Sequence, residues 1–80
     1  MSNLEKYNRV LCNVFEIEED KLQGLTYQSI ESWDSVGHMN LISELEDVFD
    51  IMFDTADIID FSSYEKGIEI LSKKDYGVEF

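Results

Sequence analysis

Apolar residues recur at three- and four-residue spacing in separate stretches of the chain and lose that period between them. From Asn3 to Phe15, Leu4, Tyr7, Leu11, Val14 and Phe15 fall on one side of a helix, and Val10 widens the stripe. Ser2 or Asn3 can cap its start. From Ser35 to about Asp50, Leu41, Ile42, Leu45, Val48 and Phe49 define a second buried face, while Ser35, Met39, Ser43, Glu46 and Asp50 share another. Asp54-Thr55-Ala56-Asp57 reads as the acidic start of a short helix ending near Ile59 or Asp60. Ser62 and Glu65 stand at capping-box spacing ahead of a last helix with Tyr64, Ile68 and Leu71 inward. That helix is predicted to end at Lys73-Lys74, where cations suit the dipole.

Between Glu16 and Asp34 the helical period disappears. A connection this long is unusual in a small domain unless something holds it down. Leu22, Leu25, Tyr27, Ile30 and Trp33 are spaced through it as anchors that pin a loop over a core. Gly67, inside the last helix, costs about 1 kcal/mol against alanine and marks a close helix approach. Gly77 to Phe80 reads as a tail whose Val78 and Phe80 can dock. No segment reads as a strand. The expectation is an all-α bundle of three main helices and one short helix, with a long loop between the first two, forming a single domain over residues 1–80.

Composition is consistent with this. Eighty residues at 44% hydrophobic content suit one small core. No apolar run has the length of a membrane span, and Met1-Ser2-Asn3-Leu4-Glu5 lacks the pattern of a signal peptide. The lone Cys12 permits no internal disulfide, so a cytoplasmic location is expected. Charge changes the picture more. The formal net charge is -12, and no Lys or Arg lies between Leu22 and Glu65, a stretch holding ten acids. Such a field disfavours nucleic acid and anionic membrane surfaces, and it steers proteins with basic patches toward the chain. A monomer is expected.

Within the acidic stretch, Asp34-Ser35 opens the second helix. A serine there is well placed to carry phosphate, because free backbone N–H groups and the helix dipole both favour negative charge. An isolated Asp-Ser pair is better explained by Ser35 acting as a plain N-cap. The wider run is more specific. Trp33-Asp34-Ser35-Val36-Gly37-His38-Met39-Asn40-Leu41-Ile42, followed by Leu45-Glu46 and Phe49-Asp50, resembles acyl carrier proteins, and the resemblance extends over essentially the whole chain.

That resemblance implies the same small bundle with a long first loop. It implies that Ser35 receives 4'-phosphopantetheine from coenzyme A, with Asp34 in an auxiliary role presenting metal and serine inside a phosphopantetheinyl transferase. The chain is then a non-catalytic carrier. It holds acyl intermediates as thioesters and delivers them to partner enzymes of fatty acid, polyketide or related biosynthesis. Val36 stands where fatty-acid members usually have leucine, Gly37-His38 where a polar or acidic residue usually follows, and Phe53-Asp54 where an Ile-Pro pair is usual. This pattern is more similar to discrete carriers of specialised acyl, polyketide or surface-glycan pathways. An aminoacyl or peptidyl carrier is the nearest alternative, although such carriers tend to be less acidic. From another class, the alternative is a small acidic helical adaptor without a prosthetic group.

Val36, Met39, Glu46 and Asp47 are the candidate docking residues for enzymes with basic patches, the two acids being expected to lie exposed. Met39 has two readings of equal weight, the edge of the core or an adaptable exposed contact. His38 is three residues from Ser35 and shares its face, but Trp33 occupies a glycine position of the hydrolase elbow, so a serine hydrolase is disfavoured. His38 is expected to be exposed near the base of the arm. Cys12 reads as a small buried hydrophobe. Asp54 to Asp60 lacks the ligand alternation, glycine and closing glutamate of a calcium loop, so no metal site is expected.

Overall fold

Ser2 and Glu5 start the first helix reciprocally: the Glu5 N–H donates to Ser2 Oγ at 3.1 Å, and the Ser2 N–H donates to Glu5 Oε1 at 3.3 Å. In the computed structural model, which describes residues 2–80, α1 (Asn3–Phe15) is followed by α2 (Ser35–Phe49), α3 (Thr55–Asp60) and α4 (Tyr64–Leu71). A 3-10 turn at Glu19–Lys21 interrupts the long first connection. The described residues contain no strand, only an isolated antiparallel bridge between Thr26 and Ser63. The chain is thus the small all-α bundle that its periodicity predicts.

Three of the five expected loop anchors are buried, while Ile30 is only half-buried and Tyr27 is exposed. Leu22, Leu25 and Trp33 are buried among Tyr7, Leu11 and Phe15 of α1, Leu41, Ile42 and Leu45 of α2, and Ile70 and Leu71 of α4. Trp33 is fully buried and stacks on Phe15 with ring centroids 4.9 Å apart. Burying such rings supplies much of the driving force a domain of this size has. Tyr7 is equally buried, and its phenol donates to the Tyr64 carbonyl at 2.7 Å. Burial holds that phenol neutral by raising its pKa above the ordinary tyrosine range. Gly67 packs where a Cβ would collide with the Tyr7 hydroxyl and the Phe61 ring, which is the close approach its sequence position signals.

Several local expectations are corrected. Leu4 and Val48 are exposed rather than buried, while Val10 lies in the core as expected. Ile68 is only half-buried, and Ile70 takes the inward place. The capping box at Ser62 and Glu65 does not form. Its pairing with Thr26 keeps Ser63 extended, so Ser63 becomes the last non-helical residue and accepts the Lys66 N–H at 3.0 Å. Glu65 turns instead to the Gly24 N–H at 3.0 Å. Helix α4 ends at Leu71, two residues before the lysine pair. Asp54 sits at the N-cap position of α3, but its carboxylate makes no capping bond. In the tail, Val78 is buried and its N–H donates to the Leu71 carbonyl at 2.9 Å, while Phe80 stays partly exposed with its ring edge on Tyr7. Cys12 is half-buried, and desolvation pushes its thiol pKa up.

Candidate functional site

The cap of α2 is Asp34. Its Oδ1 accepts the Gly37 N–H at 2.9 Å, and its carbonyl accepts the His38 N–H at 2.8 Å. Ser35 is therefore the first helical residue and is released from capping, with its side chain exposed. The first-turn amides of Ser35 and Val36 lie beside it without intrahelical acceptors. Among the described residues, the only side-chain hydrogen bond of Ser35 Oγ is a 3.3 Å contact with the Tyr27 hydroxyl. Gly37 has no room for a Cβ, because the Ser32 carbonyl packs directly over it. The end of the long loop is thereby pressed against the first turn of α2.

His38 is not exposed as the sequence suggested. It is half-buried, and both ring nitrogens are engaged. The Trp33 indole N–H donates to Nδ1 at 3.0 Å, and Nε2 lies 2.7 Å from the Ile58 carbonyl. An indole N–H only donates and a carbonyl only accepts, so these partners select the neutral tautomer with hydrogen on Nε2. His38 thus ties the first turn of α2 to α3 and to the core tryptophan. It does not face Ser35 Oγ as a base, and the two side chains form no nucleophile–base pair.

Around this point the surface is apolar and acidic. Val36 is 70% exposed and Met39 54%, which puts Met39 outside the core. Ile59 on α3 and Met52 before it are more exposed still, and neither was singled out from the sequence. The adjacent pair Ile58-Ile59 was the available signal, since a one-and-a-half-turn helix turns only one of two neighbours inward. Asp47 is exposed, but Glu46 is half-buried and its Oε2 accepts the Phe53 N–H at 2.9 Å. Glu46 is therefore in part a structural brace for the α2–α3 connection, contrary to its expected exposure. A cavity of about 260 Å³ lies between α2 and α3, lined by Tyr27, His38, Ile58, Ile59, Phe61 and Ser62. A larger open groove of about 650 Å³ runs between α1 and α2, past Lys6, Arg9 and Val48.

One acid of the central stretch finds a cation beyond it. Asp57 is buried at the start of α3 and receives Lys73 Nζ at 2.9 Å and the Tyr76 hydroxyl at 2.6 Å. These bonds, Tyr76 first and Lys73 second, hold its carboxyl below the ordinary aspartate range. No group of three or more His, Cys, Asp or Glu side chains among the described residues is arranged to hold a metal ion. Nor is any helix there long and apolar enough to cross a membrane. No protein-family model, curated protein or solved structure matches the chain.

Proposed function

We propose that the chain is a discrete acyl carrier protein, with 4'-phosphopantetheine attached to Ser35. The observation that carries this is the division of labour at the head of α2: Asp34 performs the capping, and the Ser35 hydroxyl is left exposed on the first turn. The site suits the group. An exposed hydroxyl can enter a transferase, and the nearby helix amides favour a phosphodiester. In that reaction Ser35 Oγ would lose its proton to a base of the transferase and form an O–P bond to the pantetheine-bearing phosphorus as the pyrophosphate P–O bond breaks, releasing adenosine 3',5'-bisphosphate.

When bound, the group supplies a terminal thiol that carries an acyl chain as a thioester. The chain itself contributes the attachment point and the surface that partners read. Val36 and Met39 offer apolar contact beside Ser35, and Asp47 adds negative charge for basic partner patches. Tethering raises the effective concentration of cargo at each docked enzyme.

The test is intact mass after incubation with coenzyme A and a broad-specificity phosphopantetheinyl transferase. One group is expected on the wild type and none on Ser35→Ala. Modification at Ser29, Ser32 or Ser43 instead, or no modification by any competent transferase, favours the acidic adaptor.

A further inference from the structure

We infer, on the basis of the carrier function proposed above, that Tyr27 is a positioning residue for the Ser35 oxygen before and after its modification. The Tyr27 hydroxyl lies 3.3 Å from Ser35 Oγ, although the two belong to different elements. The phenol is exposed, but the backbone that carries it is fixed. Its backbone N–H donates to the Ser62 carbonyl at 2.9 Å, and the adjacent Thr26 pairs with Ser63. Its ring meets His38 edge-on at 5.5 Å and Trp33 edge-on at 6.5 Å.

The following turn is closed with equal care. Gln28 adopts a left-handed backbone with φ 67 and donates its N–H to the Trp33 carbonyl at 2.9 Å. Ser29 Oγ donates to the Thr26 carbonyl at 2.6 Å and accepts the Thr26 N–H at 3.0 Å. A non-glycine residue held at positive φ persists only where its surroundings impose it. The bond these restraints deliver is exposed and neutral, so it adds little to stability. Their effect is to place a hydroxyl at Ser35.

In the unmodified protein either hydroxyl can donate, and when Tyr27 donates to a lone pair of Ser35 Oγ the serine hydrogen is turned away from Tyr27, free to meet an incoming base. After esterification Ser35 Oγ has no hydrogen, so only Tyr27 can donate, to the ester oxygen or a neighbouring phosphoryl oxygen. The tyrosine then restrains the root of the arm.

The experiment compares wild type with Tyr27→Phe, which keeps the ring and removes the hydroxyl. We expect kcat for modification by the transferase to fall roughly three- to tenfold with KM held, the scale of one neutral hydrogen bond. The ³¹P resonance of the loaded variant should move, and the melting temperature should stay near that of wild type. On the wild type itself, the Tyr27 Cζ resonance should shift when Ser35 is loaded, a readout that does not depend on the variant folding. A wild type that is never modified overturns the carrier function. A wild type modified normally, with Tyr27 Cζ unmoved on loading, or with kcat and ³¹P shift unchanged in a folded Tyr27→Phe, overturns the role of Tyr27 alone.

Discussion

Lys73 reaches back sixteen residues to place its ammonium 2.9 Å from the buried carboxylate of Asp57. Tyr76, three residues further on, donates to the other oxygen of Asp57 and accepts the Asp54 N–H at 3.0 Å. The segment after α4 thus clamps the first turn of α3, the helix that also receives His38.

This clamp contributes to the pH profile of stability, together with the buried Tyr7 phenol on the alkaline side. Asp57 is lowered in the fold, so its contribution is present above the unfolded carboxylate pKa and is lost as pH falls through the folded one. Tyr76 is raised to about 12 by burial first and by its bond to Asp57 second, and Lys73 is raised first by its bond to Asp57. Their contributions are present below the unfolded values and disappear as pH rises through the folded ones. Urea unfolding across pH should therefore show a plateau with losses below about pH 4 and above about pH 10. Asp57→Asn should cost about 1–3 kcal/mol at neutral pH and flatten the acid limb.

Replacing His38 should distinguish its bracing role from a bystander's. His38→Leu leaves the Trp33 indole N–H and the Ile58 carbonyl without their partner, at about 1–3 kcal/mol for each group that water cannot reach. His38→Gln offers an acceptor and a donor in one amide and should recover part of the loss. Equal stability of the two variants, measured by urea denaturation, contradicts this account.

The C-terminus of α2 contains a correctable strain. Asp50 holds a left-handed backbone with φ 54, and the last turn of the helix has no basic residue. A non-glycine in that conformation costs roughly 1–2 kcal/mol, and an acid at the negative end of the dipole adds about 0.3–1 kcal/mol. Asp50→Gly should therefore raise the melting temperature by several degrees, at about 4–8 °C per kcal/mol for a domain of this size. A calorimetric melt that falls or stays level counts against it.

Docking variants should now separate. Met39→Ala and Asp47→Lys should change stability by less than about 1 kcal/mol, because both residues are exposed, and on the proposed carrier function they should slow modification by the transferase. Asp47→Lys should also weaken the salt dependence of that reaction. Glu46→Lys should lower stability as well, since the Phe53 N–H loses its acceptor. Leu45→Ala, at a fully buried position, should cost about 2–5 kcal/mol and serves as the core reference.

The helices, the anchored loop and the packing of Gly67 were legible because each leaves a periodic or steric trace in a few neighbouring residues. The position of Ser35 on the first turn was legible for the same reason, although its release from capping by Asp34 depends on backbone angles at one residue. His38 was misread because a polar ring beside a serine looks like surface chemistry, and its partner in α3 is twenty residues away. The Asp57 clamp has the same origin: charge counted along the chain cannot show Lys73 returning from beyond the acidic stretch. A single pairing of Thr26 with Ser63 moved the α4 cap by one residue, and local patterning carries no record of that pairing.

Trp33 is the chain's single tryptophan, and it sits between the Phe15 ring and the His38 imidazole, next to the cap of α2. The protein therefore carries an intrinsic optical probe at the junction of loop, α2 and α3. Any event that loosens this junction, whether enzyme docking, loading of Ser35 or early unfolding, should alter its emission in unlabelled protein.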